Sequence, residues 1–575
     1  MALLRPASDT HVLPGTSPAD DLAAALRSPA CYPHPAGHLQ ILQTHISLVA
    51  LAGEHAYKIK KPVVVGFLDF STPQARLASC EAEVRLNART APALYLGVVP
   101  ITGTPRAPRV AGAGVPFEHA VHMRRFDQRQ LLDRLAREGR LKTGHVDSLA
   151  RVLARFHEGA ACATASGGFA TPGIVLAEAL DNFRDLIAAQ KAPALREQLL
   201  ALRDWTVRTH AALAPTFERR LREGRVREGH GDLHLGNIVL LGGEPVPFDC
   251  LEFDEGLRWI DVMSDGAFTV MDLVNHGLDA LAARFLDRWL AENGDYDGLR
   301  VLPFYLVYRA MVRAKVASLR AHQGAPASVH AAAQADVGEH VTLAWRLAEP
   351  KPRALVLMHG LAGSGKSTLS QALVEALGAV RLRSDLERKR LHAIAANART
   401  DSAPGEGIYS AAQSERTYGC LAALARGVLA AGWPVVVDAS FLRRSHREAF
   451  REIAREAGVG FAIAHCEAPQ ALLEERLAAR ARRADEASEA GVAVLAWQRG
   501  QADELRADER EATVSFEATR GGIDRAGVQA LARLARIAGM DRDQAAPRNA
   551  APVARAVDPG QSGPRAGAEN EDGFA

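Results

Sequence analysis

The feature that most restricts the fold of this 575-residue chain is a glycine-rich octapeptide in its second half. Residues 360–367 read GLAGSGKS and satisfy the pattern G-x-x-x-x-G-K-[ST] completely. An apolar run at 354–358 precedes the octapeptide, and an amphipathic pattern from 367 to 377 follows it. A strand, a phosphate-binding loop and a helix in this order predict an α/β domain built on a parallel sheet.

The residue types of this loop are those that nucleotide binding requires. Glycines allow backbone N–H groups to wrap the phosphates of ATP at the N-terminus of a helix. The lysine would reach the outer phosphates, where it would also act in catalysis, and the serine hydroxyl would bind Mg²⁺. We therefore expect ATP and Mg²⁺ as cofactors. The expected nucleotide-binding residues are Gly360, Gly363, Ser364, Gly365, Lys366, Ser367 and Thr368, with Ser367 also a metal ligand.

An apolar run downstream supplies a carboxylate for the same site. Residues 435–438 read VVVD and end in Asp438, which we expect to hold the water shell of Mg²⁺ and so to act in catalysis. Ala439 and Ser440 follow, where motor and transporter ATPases usually carry an acidic residue that activates water. This difference favours a transferase over a hydrolase.

An arginine-rich stretch comes later, on a predicted helix and its end. Its members are Arg476, Arg480, Arg482 and Arg483, which could close over the transferring phosphoryl group as a lid. We select Arg480 as the catalytic candidate. A solvated helix face is the alternative interpretation for each of these arginines.

The segment 354–537 resembles the small P-loop kinases of the gluconate kinase, polynucleotide kinase and zeta-toxin type. The similarity rests on GLAGSGKST, RSDLERKRL, VVVDAS and the arginine-rich helix. The resemblance implies transfer of the ATP γ-phosphate to a hydroxyl group. It also places Ser384 and Asp385, with Arg388 one turn later, where such kinases contact the acceptor.

A second motif lies in the first half of the chain. Residues 230–237 read HGDLHLGN and fit the catalytic-loop pattern of kinases, H-x-D-x-x-x-x-N. In that pattern Asp232 accepts the proton of the substrate hydroxyl and Asn237 binds Mg²⁺. A predicted hairpin around residues 242–245 returns Asp249 toward Asn237, so we expect both residues to be metal ligands.

A kinase of this type also needs a lysine on an early strand, paired with a glutamate on the following helix. Ala56, Tyr57 and Lys58 match the A-I-K portion of the pattern V-A-I-K. Lys58 and Lys60 lie on the same face of a strand, so strand periodicity does not separate them, and the spacing from Ala56 favours Lys58. Glu83 is the preferred partner. Glu81 is the alternative.

The segment 39–346 resembles the aminoglycoside phosphotransferase and choline kinase-like family through HGDLHLGN, PFDCLEFD and IDVMSD. The resemblance implies a two-lobed α+β kinase fold, with ATP in the cleft and a small-molecule acceptor against the helical lobe. It also implies that Asp261 and Asp265 support the catalytic loop. The chain departs from kinase patterns by having only Ala52-Gly53 in place of G-x-G-x-x-G and DCL in place of D-F-G. It also has no A-P-E segment, which counts against a protein kinase.

The two halves together resemble the bacterial proteins described as bifunctional aminoglycoside phosphotransferase/ATP-binding proteins. Two prolines in the sequence EPKP, residues 349–352, interrupt helix continuation and place the domain boundary there. We expect an N-terminal extension (1–38), a kinase-like domain (39–349) and a P-loop domain (350–540). The tail (541–575) is predicted to be disordered from its composition.

The charge balance, the cysteines and the absence of long apolar runs restrict the classes of partner and the location that we expect. The chain has 69 basic and 67 acidic side chains and a net charge of +2, which gives no reason to expect a nucleic-acid partner. Six cysteines without paired spacing indicate reduced thiols. We find neither a secretory leader nor an apolar run of about 20 residues, so we expect a cytoplasmic location and no membrane partner.

The sequence thus predicts an ATP-dependent phosphotransferase with two nucleotide sites, each transferring phosphate to a hydroxyl of a small molecule. One alternative is a single active P-loop kinase that is regulated by a degenerate, kinase-like nucleotide sensor. Another is a nucleic-acid-end kinase, suggested by the second half alone. No motif specifies the acceptors, a coupling between the sites or the oligomeric state.

Overall fold

The computed structural model of the chain describes residues 18–540, apart from positions 45, 66–67, 165–166, 322–326, 397, 399, 401–404, 482–491 and 518–524. The predicted tail, 541–575, lies outside the described residues, as does the first part of the predicted N-terminal extension. The chain forms two domains. The first joins an antiparallel sheet to a helical lobe, and the second is a parallel sheet flanked by helices.

The small lobe of the first domain is a six-stranded antiparallel sheet with an additional short hairpin. Its strands are β1 (Leu39–Gln43), β2 (Ser47–Ala52), β3 (His55–Lys60), β4 (Val64–Val65), β5 (Leu68–Asp69), β6 (Tyr95–Thr104), β7 (Ala107–Val110) and β8 (Pro116–Arg124). The order in the sheet is β1-β2-β3-β8-β6-β7, and β4 pairs with β5. Gly53 is required in the β2–β3 turn because its φ is +59° and a Cβ there would lie 2.7 Å from the carbonyl oxygen of Pro35.

The alternation of β3 sends two sets of side chains to opposite faces of this sheet. Tyr57 and Ile59 lie in an outer cluster that includes Leu22 of α1 (Pro18–Ala25). Ala56 lies on the other face, in a cluster with Cys80 of α2 (Pro73–Asn87). Lys58 and Lys60 therefore point toward α2 and the cleft between the lobes.

The helical lobe supplies the floor of that cleft. Its helices are α3 (Leu132–Arg137), α4 (Thr143–Gly159), α5 (Pro172–Ala189), α6 (Pro193–Arg222), α7 (Val262–Asn275), α8 (Asp279–Asn293), α9 (Leu302–Ala321) and α10 (Ala327–Ala348). Its short strands are β9 (Val226–Glu228), β10 (Ile238–Leu241), β11 (Glu244–Pro247) and β12 (Trp259–Asp261). Every residue of α7 from Val262 to Val274 is buried, so this helix forms the centre of the lobe.

The β10–β11 hairpin places the two halves of the predicted catalytic segment side by side. Gly242 and Gly243 both have positive φ, +61° and +89°, which is the conformation of a two-residue type I′ turn. Ile238 pairs with Pro247 at the open end of the hairpin. The segment before β10 and the segment after β11 are therefore neighbours.

The second domain is a five-stranded parallel sheet. Its strands are β13 (Ala354–His359), β14 (Val380–Arg383), β15 (Val435–Asp438), β16 (Gly460–Glu467) and β17 (Thr513–Glu517). Its helices are α11 (Lys366–Leu377), α12 (Ser384–Leu391), α13 (Ala411–Ala430), α14 (Arg444–Glu456), α15 (Gln470–Ala481), α16 (Val492–Gly500), α17 (Ala507–Arg510) and α18 (Arg525–Ile537). The order is β14-β15-β13-β16-β17. All strands are parallel, but β14 and β15 lie on one side of β13 and β16 and β17 on the other, so the strand order reverses at β13. Ligands of such sheets bind beyond the carboxyl end of the strand at the reversal.

The two domains share one hydrophobic core. A single buried cluster contains Phe285 and Trp289 of α8 together with Val380, Leu382 and Trp433 of the second domain. The indole nitrogen of Trp433 donates to the carbonyl oxygen of Leu299 at 3.2 Å. Separating the domains would therefore expose apolar surface on both. In the part of the chain that the structure describes, no helix is long and apolar enough to span a membrane.

Candidate active sites

The glycine-rich loop lies between β13 and α11, at the point where the sheet order reverses. Gly360, Gly363 and Gly365 have φ values of +136°, +81° and +96°. A Cβ on Gly360 would lie 2.4 Å from the carbonyl oxygen of Cys466, so glycine is required for this close approach. Because α11 begins at Lys366, the backbone N–H groups of its first turn are directed at the loop and favour an anion there.

The predicted nucleotide-binding residues divide into two groups. Gly363, Gly365, Lys366 and Ser367 line a cavity of about 200 Å³. Gly360, Ser364 and Thr368 are not part of its lining, and of these Ser364 is buried while Thr368 is exposed. The Lys366 ammonium group donates to the carbonyl oxygens of Gly360 and Leu361 at 2.9 and 2.7 Å, which holds it at the loop.

Asp438 reaches the same cavity from the end of β15. Asp438 is buried, and its Oδ2 accepts a hydrogen bond from the Ser370 hydroxyl at 3.1 Å. Ser367 and Asp438 both line the cavity beside the loop. The parallel pairing of β13 with β15 produces this arrangement, because the carboxyl ends of both strands lie at one edge of the sheet.

Helix α15 lies across the loop. A Cβ on Gly363 would lie 3.0 Å from the carbonyl oxygen of Leu473, and Arg476 donates to the carbonyl oxygen of Gly363 at 3.2 Å. Arg480 belongs to the same helix, but its side chain is outside the described part of the structure. Arg482 and Arg483 also lie outside the described residues. Arg476 is thus the arginine of this stretch that the structure places against the loop.

The catalytic loop of the first domain is held from below by carboxylates of α7. Asp265 accepts from the backbone N–H groups of His230 and Gly231 at 2.6 and 2.8 Å. Asp272 accepts from the N–H of Leu235 at 2.8 Å. Asp261 has a different role from the one that the resemblance implied, because it pairs with Arg220, on which Asp295 also converges.

Asp232 is the carboxylate that this loop presents to the cleft. Its Oδ2 accepts from the Asn237 side-chain amide at 2.9 Å. Burial favours the neutral acid, but the interactions with His234 and with the Arg313 guanidinium outweigh it and hold the pKa of Asp232 well below its ordinary value. Asp232 is therefore ionised at neutral pH.

A buried charge network joins β3, α2 and the segment after β11. Lys58 Nζ lies 3.0 Å from Glu83 Oε1 and 2.5 Å from Asp249 Oδ1. Lys60 contacts the second oxygen of Glu83 at 2.5 Å and also pairs with Glu252. Despite burial, which opposes ionisation, the two ammonium groups hold the pKa of Glu83 below its ordinary value.

The structure distinguishes Lys58 from Lys60 and Glu83 from Glu81, which the sequence left as alternatives. Both lysines contact Glu83, but Lys58 lines the cleft cavity, whereas Lys60 is 1% exposed and does not. Glu83 is fully buried and Glu81 is exposed. The geometry thus places Lys58 at the cleft, with Glu83 as its buried partner.

Asp249 has a strained backbone. Its φ is +61°, an unusual value for a residue other than glycine, and its N–H donates to the Tyr95 hydroxyl at 3.1 Å. Asn237 is close behind it, because the carbonyl oxygen of Asn237 accepts from the N–H of Phe248 at 2.9 Å. Asp249 lines the cleft cavity and Asn237 does not.

Two hollows meet at Lys58 and Asp249. A small apolar one is lined by Val49, Leu51, Ala56, Tyr95, Met123, Phe126 and Phe248. A larger one, of about 370 Å³, extends from Asp232 toward the helical lobe. An apolar slot next to a lysine and two carboxylates is suited to a nucleotide base in the slot and its phosphates near the charges.

Comparison with known proteins identifies both domains. Residues 65–302 match the phosphotransferase enzyme family, and residues 355–505 match an AAA domain. An uncharacterized protein of Mycobacterium tuberculosis H37Rv is 31% identical over 457 residues, which cover 78% of this chain and 89% of the relative. A Mycobacterium bovis protein matches equally well. The chain belongs to the family of these mycobacterial proteins. Both of its domains belong to kinase families, so this family member is a phosphotransferase.

Solved structures match parts of the chain. A gluconokinase from Sinorhizobium meliloti 1021 has 25% sequence identity and a TM-score of 0.24, and covers 34% of this chain and 100% of its own. A choline kinase from Cryptosporidium parvum Iowa II has 9% identity and a TM-score of 0.36, and covers 54% of this chain and 89% of its own.

Several cavity residues of this kinase-family protein were not predicted as site residues. In the P-loop domain they are Arg383, Tyr409, Tyr418, Arg443, His446 and Trp497. In the first domain they are Glu178, Asp181, Asp254, Tyr308, Arg309 and Lys315. The first set includes residues at or just after the carboxyl ends of β14 and β15, a position that marks them once the sheet is known to be parallel. In the second set the sequence draws attention to Asp254 alone, which with Glu252 and Glu255 could form an acidic rim for a cationic acceptor, a solvated acidic loop being the alternative. The other five residues come from α5 and α9, and nothing in the sequence marks them.

Proposed function

We propose that each domain transfers the γ-phosphate of MgATP to a hydroxyl group of a small molecule. The observation that carries the proposal is that two separate cavities each contain a lysine and carboxylates. Lys58, Asp232 and Asp249 line one cavity, and Lys366 and Asp438 line the other. A lysine that contacts phosphates and oxygen ligands for Mg²⁺ are the recurring parts of phosphoryl-transfer sites.

The donor groups of both cavities suit Mg²⁺ bound together with a nucleotide. No cluster of three or more His, Cys, Asp or Glu side chains that could hold a metal occurs among the described residues. Mg²⁺ in such sites needs only one or two protein oxygens, because phosphates and waters complete its coordination. We assign Asp249 and Asn237 to this role in the first domain, and Ser367 and Asp438 in the second. The bound metal would neutralise phosphate charge.

In the first domain, Asp232 is the group that would accept the proton of the acceptor hydroxyl. Its lowered pKa keeps it ionised but also makes it a weak base. Much of its effect would therefore come from orienting the hydroxyl. Its hydrogen bond from Asn237 fixes the carboxylate for that purpose.

In the second domain, the acceptor end of the cavity is rich in arginine. Arg383, Arg388 and Arg443 line it together with Asp385. Arg388 is 8% exposed, its Nε has no hydrogen-bond partner, and its guanidinium lies 4.8 Å from the ring centre of Tyr409. We propose that Asp385 contacts the acceptor hydroxyl and that these arginines bind an acceptor carrying a carboxylate or phosphate.

The acceptor end of the first cavity has the opposite character. Glu178, Asp181 and Asp254 line it, with Arg309 and Lys315 as the basic residues there. Lys315 is paired with Asp185, and Arg309 donates to the carbonyl oxygen of Gly231. We propose a cationic acceptor for this site, so that the two domains act on different compounds.

The rate of the reaction proposed for the first domain is expected to depend on pH through the negative charge of Glu178. Burial raises the pKa of Glu178 to about 7; Arg309 opposes the shift, and Asp254 and Asp181 add to it. Glu178 therefore becomes ionised as the pH rises through neutrality. For a cationic acceptor, kcat/KM should rise about 10-fold between pH 6 and pH 8, the ratio of ionised Glu178. Initial rates across this range would measure it.

Glu178→Gln should remove this dependence, because glutamine has no charge to lose. Glu255→Gln is the control, since Glu255 is exposed and paired with Arg258. A pH dependence that Glu178→Gln leaves intact would contradict the role of Glu178.

The overall proposal can be tested with a phosphorus NMR screen of metabolite pools incubated with MgATP. Wild type, Asp232→Asn and Lys366→Ala would be compared as full chains. We expect two sets of phosphorylated products, each lost in one variant. If only the Lys366-dependent set formed, while the first domain still bound nucleotide, that domain would be a nucleotide sensor. Salt-sensitive phosphorylation of an oligonucleotide end would instead support the nucleic-acid-end kinase.

A further inference from the structure

An aspartate of the first domain lies against the P-loop region of the second. Asp287 is in α8, and its Oδ1 accepts from the backbone N–H of Arg381 at 2.9 Å. Its Oδ2 contacts the Arg381 guanidinium at 3.0 Å. The two residues are 2% and 6% exposed, so this is a buried ion pair across the domain interface.

The same guanidinium group contacts the first turns of the P-loop helix. Arg381 Nη1 donates to the carbonyl oxygen of Ser367 at 3.3 Å and to the Ser370 hydroxyl at 3.2 Å. Its Nη2 donates to the Gln371 side chain at 2.8 Å. The Ser370 hydroxyl in turn donates to Asp438 at 3.1 Å. Ser367 and Asp438 are the residues that we assigned to Mg²⁺, and Arg381 therefore contacts the backbone of the first directly and reaches the second through Ser370.

Helix α8 presents Asp287 from a fixed position. Two residues further on, Trp289 is fully buried, and a Cβ on Gly266 of α7 would lie 2.3 Å from its ring. Such close packing leaves α8 little freedom to shift toward or away from β14. The carboxylate is thus placed by the core of the first domain.

The buried guanidinium of Arg381 is stabilised by the negative charge of the Asp287 carboxylate. If Asp287 loses its charge, Arg381 is left with an uncompensated buried charge and is free to change its contacts. The groups that it braces, Ser367 and Ser370, would lose their common partner. Groups that orient metal ligands in this way typically change metal affinity by about 10- to 100-fold when removed.

We propose that Asp287 and Arg381 form a positioning pair through which the first domain completes the Mg²⁺-nucleotide site of the second. Neither residue touches the reacting groups. Asp287 fixes Arg381, and Arg381 fixes the first turns of α11 and, through Ser370, the carboxylate of Asp438. This inference rests on the proposed use of MgATP at the P-loop but not on the identity of any acceptor.

The chain supplies a matched control in the same interface. Arg284 is also in α8 and also forms an ion pair across the domains, with Glu375 at 2.7 Å. Its second partner is Asp147 of α4. Glu375 is near the end of α11, more than two turns after Ser367, and it also accepts a hydrogen bond from the Gln371 side-chain amide at 3.2 Å. Arg284→Met therefore weakens the interface but leaves in place the hydrogen bonds of Arg381 and the hydrogen bond from Gln371 to Glu375.

The test is calorimetric titration of the full chain with MgADP at several Mg²⁺ concentrations. The component that disappears in Lys366→Ala is the P-loop site. Asp287→Asn and Arg381→Met should weaken that component about 10-fold or more and raise the Mg²⁺ concentration that it needs. The component of the first domain should be unchanged. Arg284→Met should alter neither, and circular dichroism would verify that each variant is folded.

Two results would overturn the inference. One is an unchanged P-loop component in folded Asp287→Asn and Arg381→Met. The other is an equal loss in Arg284→Met, which would indicate general weakening of the interface. If wild type showed no component that depends on Lys366, the nucleotide site itself would be wrong. Failure of the proposed nucleotide site is distinguishable from failure of the positioning pair, because it is detected with the wild type and Lys366→Ala alone.

Discussion

Lys366→Ala is expected to lower phosphoryl transfer by the P-loop domain about 10³-fold, the effect typical of removing a preorganised charge that stabilises a transition state. The ammonium group is held at the mouth of the loop by the carbonyl oxygens of Gly360 and Leu361. Its position beside the N-terminus of α11 places it where negative charge accumulates during transfer. Alanine removes this charge and leaves the backbone of the loop unchanged.

The measurement is product formation by the full chain, with the acceptor that the NMR screen identifies for this domain. The full chain is needed because Trp433 and Leu382 belong to a core shared with the first domain. Transfer by the first domain serves as the internal control and should be unaffected. Wild-type turnover by the second domain of the Lys366→Ala variant would disprove the assignment.

Asp232→Asn is expected to lower transfer by the first domain about 10²-fold or more, within the range for general bases, while MgATP binding survives. Asparagine keeps the size of the side chain but cannot take up the hydroxyl proton. Because the pKa of Asp232 is held low, the acidic side of the pH–rate profile should not show a group near the ordinary value for aspartate.

Asp249→Asn is the companion variant and should act on binding. Asp249 is paired with Lys58 and faces the cleft, so its loss removes a proposed metal ligand. Nucleotide affinity should become weaker and depend more steeply on Mg²⁺. Equal loss of nucleotide binding in both variants, with no selective loss of turnover in Asp232→Asn, would contradict this division of roles.

The sequence predicted the classes of both domains because each depends on a local pattern. The octapeptide at 360–367 requires a strand before it and a helix after it, and β13 and α11 have these positions. The consecutive residues Gly242 and Gly243 predicted a tight turn, and the hairpin that they form brings the Asp249 segment next to Asn237. Backbone conformation and strand period are local properties, so short segments specify them.

Other features depended on which distant residues meet. Both Lys58 and Lys60 satisfied the strand period, and only the packed structure shows that Lys58 faces the cavity while Lys60 is paired with Glu252. Asp261 had the sequence position of a carboxylate that supports the catalytic loop, but in the structure it is paired with the buried Arg220. Charge pairing in a protein core is decided by burial and by three-dimensional neighbours, which sequence spacing does not record.

The sequence by itself determined that this chain carries a P-loop and a kinase catalytic loop, each with the residue types for MgATP. Only the tertiary structure decided that these domains share a core, that α8 places Asp287 against Arg381, and that one cavity is lined by Glu178, Asp181 and Asp254 and the other by Arg383, Arg388 and Arg443. The physical reason is that a motif is specified by the backbone conformation of a few consecutive residues. The charge of a cavity and the contacts of an interface are instead sums over side chains that folding brings together from distant parts of the chain.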